Sequence, residues 1–182
     1  MNKSFKQACD ESNVTRWIDD WDYEKNMVSP DDVASQSNKK YWFKCHRGLH
    51  ESTAVTLCNI TKNLYRADEY KLCKKCISIG QYIIDTYGEQ YLIDTWSDLN
   101  TKPPLEISKC SKERIYLKCL DNNNHPDYDL MALNYTKSHN CPFCSGHRVC
   151  LDNSLGNVYP KSIGVWSDIN DDTPYDYSFG SG

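Results

Sequence analysis

Cys119, His125, Cys141 and Cys144 offer three thiols and one imidazole as two close pairs separated by a loop. That donor set at that spacing is how a tetrahedral structural zinc site is written in a sequence. Cys141-Pro142-Phe143-Cys144-Ser145-Gly146 forms the second knuckle, in which two residues between the thiols let both sulfurs turn onto one metal. An earlier set, Cys45, His50, Cys73 and Cys76, repeats the order of ligands. His46 competes with His50 but adjoins Cys45 and would have to bend back sharply. The competing chemistry is redox, because Cys-Pro-Phe-Cys also occurs where a thiol is activated at a helix start. That reading needs a strand and a βαβ context before the motif. Lys137-Ser138-His139-Asn140 is a poor strand, and redox chemistry gives the upstream Cys and His no role. Cys9, Cys58, Cys110 and Cys150 have no partner at ligand spacing and read as small buried residues or incidental thiols. His139 and His147 flank the knuckle and are expected behind the ligands or on the surface.

The two sets belong to an internal repeat. A shift of 74 residues puts Cys45 on Cys119, Lys44 on Lys118, Ser37 on Ser111, Val33 on Ile107, Pro30 on Pro104 and Asn26 on Asn100. One residue of slack brings Trp21 over Trp96, and a third start appears at Trp166-Ser167-Asp168-Ile169-Asn170, with Pro174 and Ser181 at the matching offsets. A period of this length is settled before anything else. The organisation expected is a first zinc module at 17–82, a second at 91–147, and a connector with the start of a third at 153–182.

The elements that must hold the ligands follow from residue type. Tyr41-Trp42-Phe43-Lys44-Cys45 and Ile115-Tyr116-Leu117-Lys118-Cys119 are aromatic and β-branched, so each reads as a strand delivering a cysteine into a turn. The turns are 45–50 and 119–125, where Gly48 and Asn122 to Asn124 tolerate the bends. A second strand is expected after each histidine. The apolar spacing of 79–93 and 153–165 allows short connecting helices, and Trp21, Trp96 and Trp166 read as the plugs of three small cores. The fold class expected is therefore small α+β: tandem zinc-stabilised modules, zinc-ribbon or treble-clef-like β-hairpins with short connecting helices. Modules of about fifty to sixty residues are too small for a large core and need a staple. Met1 to Asp20 is polar and acidic without an apolar signal segment, which points to an intracellular chain whose cysteines hold metal rather than disulfides. Two zinc ions per chain are expected.

The order Trp, Asn, Pro, a Ser-containing turn, an aromatic strand, Lys-Cys, a nearby His and then Cys-Pro-aromatic-Cys-Ser-Gly resembles the probable zinc-ribbon domain family. Its members occur as tandem arrays and beside nuclease domains in bacteria, phages and large viruses. The resemblance places Cys119, His125, Cys141 and Cys144 on the family's ligand positions. Asn153-Ser154-Leu155 with Pro160 and Trp166 looks like the lead into a further copy. The first module departs from the pattern: Lys71-Leu72-Cys73-Lys74-Lys75-Cys76 lacks the proline and the Ser-Gly, and the loop after His50 is longer. Both modules also put more than the usual three residues between cysteine and histidine. The family implies zinc and a nucleic-acid context, and no established activity.

Charge narrows the function classes. The formal net charge is −4, and each zinc held by three thiolates adds one more negative charge, which weighs against a general polyanion binder. The cations are clustered, however. Lys39, Lys40, Lys44 and Arg47 surround the first zinc cysteine, and Lys109, Lys112, Arg114 and Lys118 repeat the pattern, while acids gather at 19–24 and 168–176. One reading is a solvated face. The other is a non-catalytic zinc-binding repeat protein that contacts DNA or RNA through these strips, or carries a partner domain to it. A protein-interaction or structural spacer module is the alternative, supported by the acidic connectors and the aromatic residues. Catalytic sets are thin. His125-Pro126-Asp127 offers no histidine-metal nuclease once His125 holds zinc, and Pro30-Asp31 with Glu69-Tyr70-Lys71 has no counterpart in the second module. No enzyme and no membrane span are expected.

Overall fold

The computed structural model describes residues 3–64 and 72–179. Glu69-Tyr70-Lys71 and Ser181 lie outside the described residues. The chain divides into two compact units, Met1–Ile77 and Ser78–Gly182. No helix among the described residues is long and apolar enough to cross a membrane.

The first unit opens on α1 (Phe5–Glu11), α2 (Arg16–Asp19) and α3 (Tyr23–Asn26), continues through the hairpin β1 (Lys40–Phe43) and β2 (Thr53–Thr56), and adds α4 (Leu57–Thr61) directly after β2. The second unit runs α5 (Ile79–Tyr87), α6 (Glu89–Thr95), the hairpin β3 (Arg114–Leu117) and β4 (Tyr128–Met131), then α7 (Ala132–Tyr135), α8 (Leu155–Val158) and α9 (Lys161–Val165). Each hairpin is antiparallel, with Trp42 opposite Ala54 in the first and Tyr116 opposite Asp129 in the second. The fold is thus small α+β, with short antiparallel hairpins in treble-clef-like modules. Short strands suffice because alternation still splits them into two faces: Phe43, Ile115 and Leu117 are buried while Lys40, Trp42 and Arg114 face out.

Polar pairs fix the same geometry in both units. Asn26 brackets Trp42, its amide donating to the Trp42 carbonyl (2.8 Å) and its carbonyl accepting from the Trp42 N–H (2.8 Å). Asn100 brackets Tyr116 in the same way, at 2.7 and 2.9 Å. Ser52 donates to Asp22, whereas Ser97 donates to Asp127, so the same bond recurs with serine and carboxylate exchanged. Trp21 bridges to Phe43 and Trp96 to Leu117 at the strand that leads to the zinc cysteine.

The polarity at the beginning of the first unit hides a helix. Residues 1–20, read as a polar lead, contain α1, whose Phe5 and Cys9 are fully buried with Trp17 and Trp21 in the first core. Ser4 caps α1 by accepting from the Gln7 amide, and the Gln7 side chain accepts from the Ser4 N–H, forming a capping box. Ser78 accepts from the Gln81 amide and Ser154 from the Asn157 amide at the starts of α5 and α8. Phe5, Ile79 and Leu155 then donate to the carbonyls of Val33, Ile107 and Tyr177 at 2.8, 2.8 and 2.7 Å. Close approach decides one residue here: a Cβ on Gly80 would lie 2.7 Å from the Pro104 carbonyl carbon. The helices of 79–95 accordingly pack inward, and Ile79, Ile83 and Leu92 join Ile115, Leu117, Tyr128 and Tyr135 in the second core. Trp21 is fully buried, whereas Trp96 and Trp166 are only partly covered.

Candidate metal centres

Each centre is assembled by a strand, a turn and a knuckle. After β1 the Lys44 N–H donates to the Asp20 carbonyl (2.6 Å), and after β3 the Lys118 N–H donates to Thr95 (2.7 Å). These bonds hold the residue before each zinc cysteine. The turn after Cys45 closes through Gly48, at φ +66°, whose N–H donates to the Cys45 carbonyl (2.8 Å). In the longer turn after Cys119 the Asn122 side chain accepts from the Asn124 N–H (2.9 Å), a local bend that returns His125 to the metal side. The knuckles tighten the same way: Cys76 N–H donates to Cys73 (3.2 Å) and Ser145 N–H to Cys141 (3.2 Å).

The structure brings together Cys45, His50, Cys73 and Cys76 in one cluster and Cys119, His125, Cys141 and Cys144 in another, with every ligand atom within 4.8 Å of the others in its set. Zinc bonds of about 2.3 Å to sulfur and about 2.0–2.1 Å to nitrogen give tetrahedral edges of about 3.8 Å between sulfurs and about 3.6 Å from sulfur to nitrogen. Cys45 to Cys76 and Cys119 to Cys144 are each 3.4 Å. The His50 Nδ1 lies 3.7, 3.4 and 3.4 Å from the sulfurs of Cys45, Cys73 and Cys76. The His125 Nδ1 lies 3.6 and 3.4 Å from those of Cys141 and Cys144. These edges, too long for disulfides and too short for unrelated thiols, fit a zinc ion in each cluster. Electrostatics agrees. Burial and the Cys45 thiol, followed by Cys73, push Cys76 up to about 12. Burial with Cys119 and Cys141 does the same to Cys144. Burial also pushes Cys45 up, but hydrogen bonds with Cys76, His50 and the Leu49 and Arg47 amides outweigh it and hold the group at about 6. Three thiolates at this spacing need a dication between them.

One contributor was missed from sequence. Asp152 stands 3.6 Å from the His125 Nε2 and accepts from the Asn122 amide, on the side of the ring away from the sulfurs. A carboxylate there orients the imidazole and fixes Nδ1 as the ligand nitrogen. Its position, eight residues beyond Cys144 at the lead into α8, gave no signal, because such carboxylates have no fixed spacing to the ligands.

The remaining candidates fall outside the clusters. His46 pairs with Asp20 (3.1 Å), which leaves His50 at the metal site. His139 stacks on Tyr135 at 4.5 Å, and His147 contacts the Ser145 hydroxyl at 2.9 Å. Cys9 and Cys58 are buried, Cys150 is half-buried and Cys110 is exposed. The basic strips differ. Lys39, Lys40, Lys44 and Arg47 are all exposed. In the second unit Lys118 is paired with Asp98 (3.1 Å), Arg114 with Asp129, and Lys109 lies over the Tyr82 ring at 5.3 Å, while Lys112 is exposed.

Comparison with known proteins agrees with a zinc-finger reading. Residues 17–78 match a family described as a probable treble clef zinc finger domain. The chain is 26% identical over 169 residues to the uncharacterized protein R635 of Acanthamoeba polyphaga mimivirus, an alignment covering 83% of this chain and 39% of that protein. The chain therefore spans about two fifths of that relative's length. No solved structure matches it. Taken with the two clusters, the match supports a zinc-binding protein, and the likeness to a zinc-finger family covers residues 17–78 of it.

Proposed function

We propose that the chain is a non-catalytic tandem array of zinc modules that contacts nucleic acid, with the first unit providing most of the contact. The carrying observation is the outer face of β1 and β2. Lys40 and Trp42 stand there with Lys44 directly beyond, and the residues opposite Lys40 and Trp42 are the neutral Thr56 and Ala54. An ordered, cation-bearing strand beside a metal-fixed turn holds charge where phosphates can reach it, and the chain's overall acidity is largely screened beyond about 8 Å. The repeat is supported by the recurring serine caps, asparagine brackets and ligand sets. The metal has a structural part in this reading: it fixes turns, and the chain's own side chains do the binding.

A second reading has its own observation. In the second unit Asp98 and Asp129 pair with Lys118 and Arg114, so two of the four cations of that strip are answered from within, which suits a protein surface or spacer. Salt titration separates the two. Four phosphate contacts give a log–log slope of roughly 3 to 4 in magnitude on duplex DNA, whereas an apolar protein interface is nearly insensitive to salt. No binding to either DNA or RNA at low salt would leave the spacer reading.

A further inference from the structure

We propose that the first unit carries a binding site for single-stranded nucleic acid, in which a base stacks on Trp42 and a neighbouring phosphate enters the cavity beside the first zinc cluster. This deepens the nucleic-acid reading above and rests on it.

Trp42 stands exposed on the outer face of the first hairpin, opposite the buried Phe43 side. The residue is 38% exposed, and both of its backbone groups are bonded to Asn26. The bracket fixes the backbone as the Asn100 bracket fixes that of Tyr116, and the exposed tryptophan is what the first hairpin adds. Lys25 Nζ lies 4.8 Å from the ring centroid. Lys40 and Lys44 flank Trp42 two residues away on either side, and the alternation of exposed and buried residues through Cys45 puts all three on one face. An aromatic ring among cations that follow a strand answers a base and its backbone together, with no demand for a particular base.

The cavity supplies the second half of the site. It has a volume of about 320 Å³ and is lined by Arg16, Lys44 and Arg47 together with Asp20 and the cluster cysteines Cys73 and Cys76. Arg16 Nε lies 3.5 Å and His46 Nδ1 3.1 Å from Asp20, so the acid is already engaged by side chains of the cavity wall. Lys44 belongs to both halves, facing the platform and lining the cavity. The second unit lacks this arrangement. Its hairpin places Leu120 and Asp121 where the first has His46 and Arg47, and the matching Lys118 is held by Asp98. The open cleft beside its zinc cluster is lined by Asp152, Asn153, His147 and Phe179 instead. A single strand suits the site better than a duplex because its bases are free to leave their neighbours and lie on the ring.

The test uses the full zinc-loaded chain and labelled oligothymidylate, oligouridylate and duplex DNA at low salt. Trp42→Ala should weaken both single strands by about 5- to 150-fold and the duplex little, with Trp42→Phe retaining most of the affinity. Lys44→Gln with Arg47→Gln should flatten the single-strand salt slope by about 0.7 for each phosphate that is no longer neutralised. Lys112→Gln with Arg114→Gln should change neither. Zinc content and circular dichroism report whether each variant is folded. Single-strand binding indifferent to Trp42→Ala, or binding confined to duplex, overturns this site while the nucleic-acid reading stands. Absence of binding to all three probes overturns both. Loss of zinc from the Lys44 and Arg47 variant, with affinity unchanged once zinc is restored, shows cations that serve the thiolates alone and also overturns it.

Discussion

The two units build similar metal clusters on similar hairpins, yet they place different residues on the outer faces of those hairpins. In the first, the strand before the zinc cysteine is exposed as Lys40, Trp42 and Lys44, with neutral residues across the hairpin. In the second, Arg114 and Arg148 converge on Asp129, which lies opposite Tyr116, and Lys118 meets Asp98. The difference teaches that a repeated cation count is not a repeated surface. The zinc site constrains only the ligands, the turn and the strand's inner face. The outer face is free to diverge, and a carboxylate on a neighbouring strand or loop decides whether a lysine is available to a partner.

The largest expected effect separates the units by their metal. Structural zinc contributes about 10–16 kcal/mol in modules of this kind, comparable with the whole stability of a small domain. Cys141→Ser or Cys144→Ser should therefore abolish amide protection in the core of Ile83, Ile115 and Tyr135 while Phe5, Trp17 and Phe43 stay protected. Loss of protection in both cores from either change would show that the units share one cooperative fold. Truncating the matched inner residues, Phe43→Ala and Leu117→Ala, should cost about 3–5 and about 2–5 kcal/mol respectively, read by denaturant unfolding of the zinc-loaded chain. An effect below about 1 kcal/mol, far under the range of about 2–5 for such truncations, would mean that the hairpin is not part of the core.

Those expectations rest on what the residues made legible, and the legible part has a physical boundary. Ligand sets, knuckles, hairpin strands and the short helices of 79–95 all follow from types that chemistry or periodicity restricts. The helix at Phe5–Glu11 was obscured because its sequence is mostly polar and only Phe5, Ala8 and Cys9 face inward. Its cap was nevertheless readable, since Ser4 and Gln7 sit 74 residues before Ser78 and Gln81. Asp152 was not readable, since any nearby carboxylate can orient a ligating histidine. Nor was the pairing within the second strip, because Asp129 meets Arg114 only across the hairpin and Arg148 only from the segment after the second knuckle.

The charge contrast itself is tested next. Replacing Lys39, Lys40, Lys44 and Arg47 by Gln should reduce the salt slope by about 0.9 for each phosphate no longer neutralised on duplex DNA, and by more than the same change at Lys109, Lys112, Arg114 and Lys118. Equal losses from the two strips, measured by anisotropy across a salt series, would erase the distinction. A smaller effect sharpens the metal sites: Asp152→Ala should lower zinc affinity at the second cluster by about 10- to 100-fold and leave the first unchanged. Competition with a chromophoric chelator reads both sites, and unaltered affinity would mean that Asp152 does not support His125.

The smallest effect concerns Asp129. Arg148 and then Arg114 hold its carboxyl below the ordinary carboxylate value. A lowered folded value means stability that is present above the unfolded value of about 3.9 and lost as pH falls through the folded one. Asp129→Asn should therefore cost about 1 kcal/mol or less at pH 7, given that both arginines are solvent-exposed, and the difference from the parent should shrink in strong acid. A loss that grows on acidification would reverse the assignment.

Native mass spectrometry of the purified chain, followed by circular dichroism during titration with a strong chelator, tests the central claim most directly. The account predicts two zinc ions per chain, and loss of the folded signal as each zinc is withdrawn. A chain that carries no zinc, or that keeps its fold after both ions are gone, would contradict it.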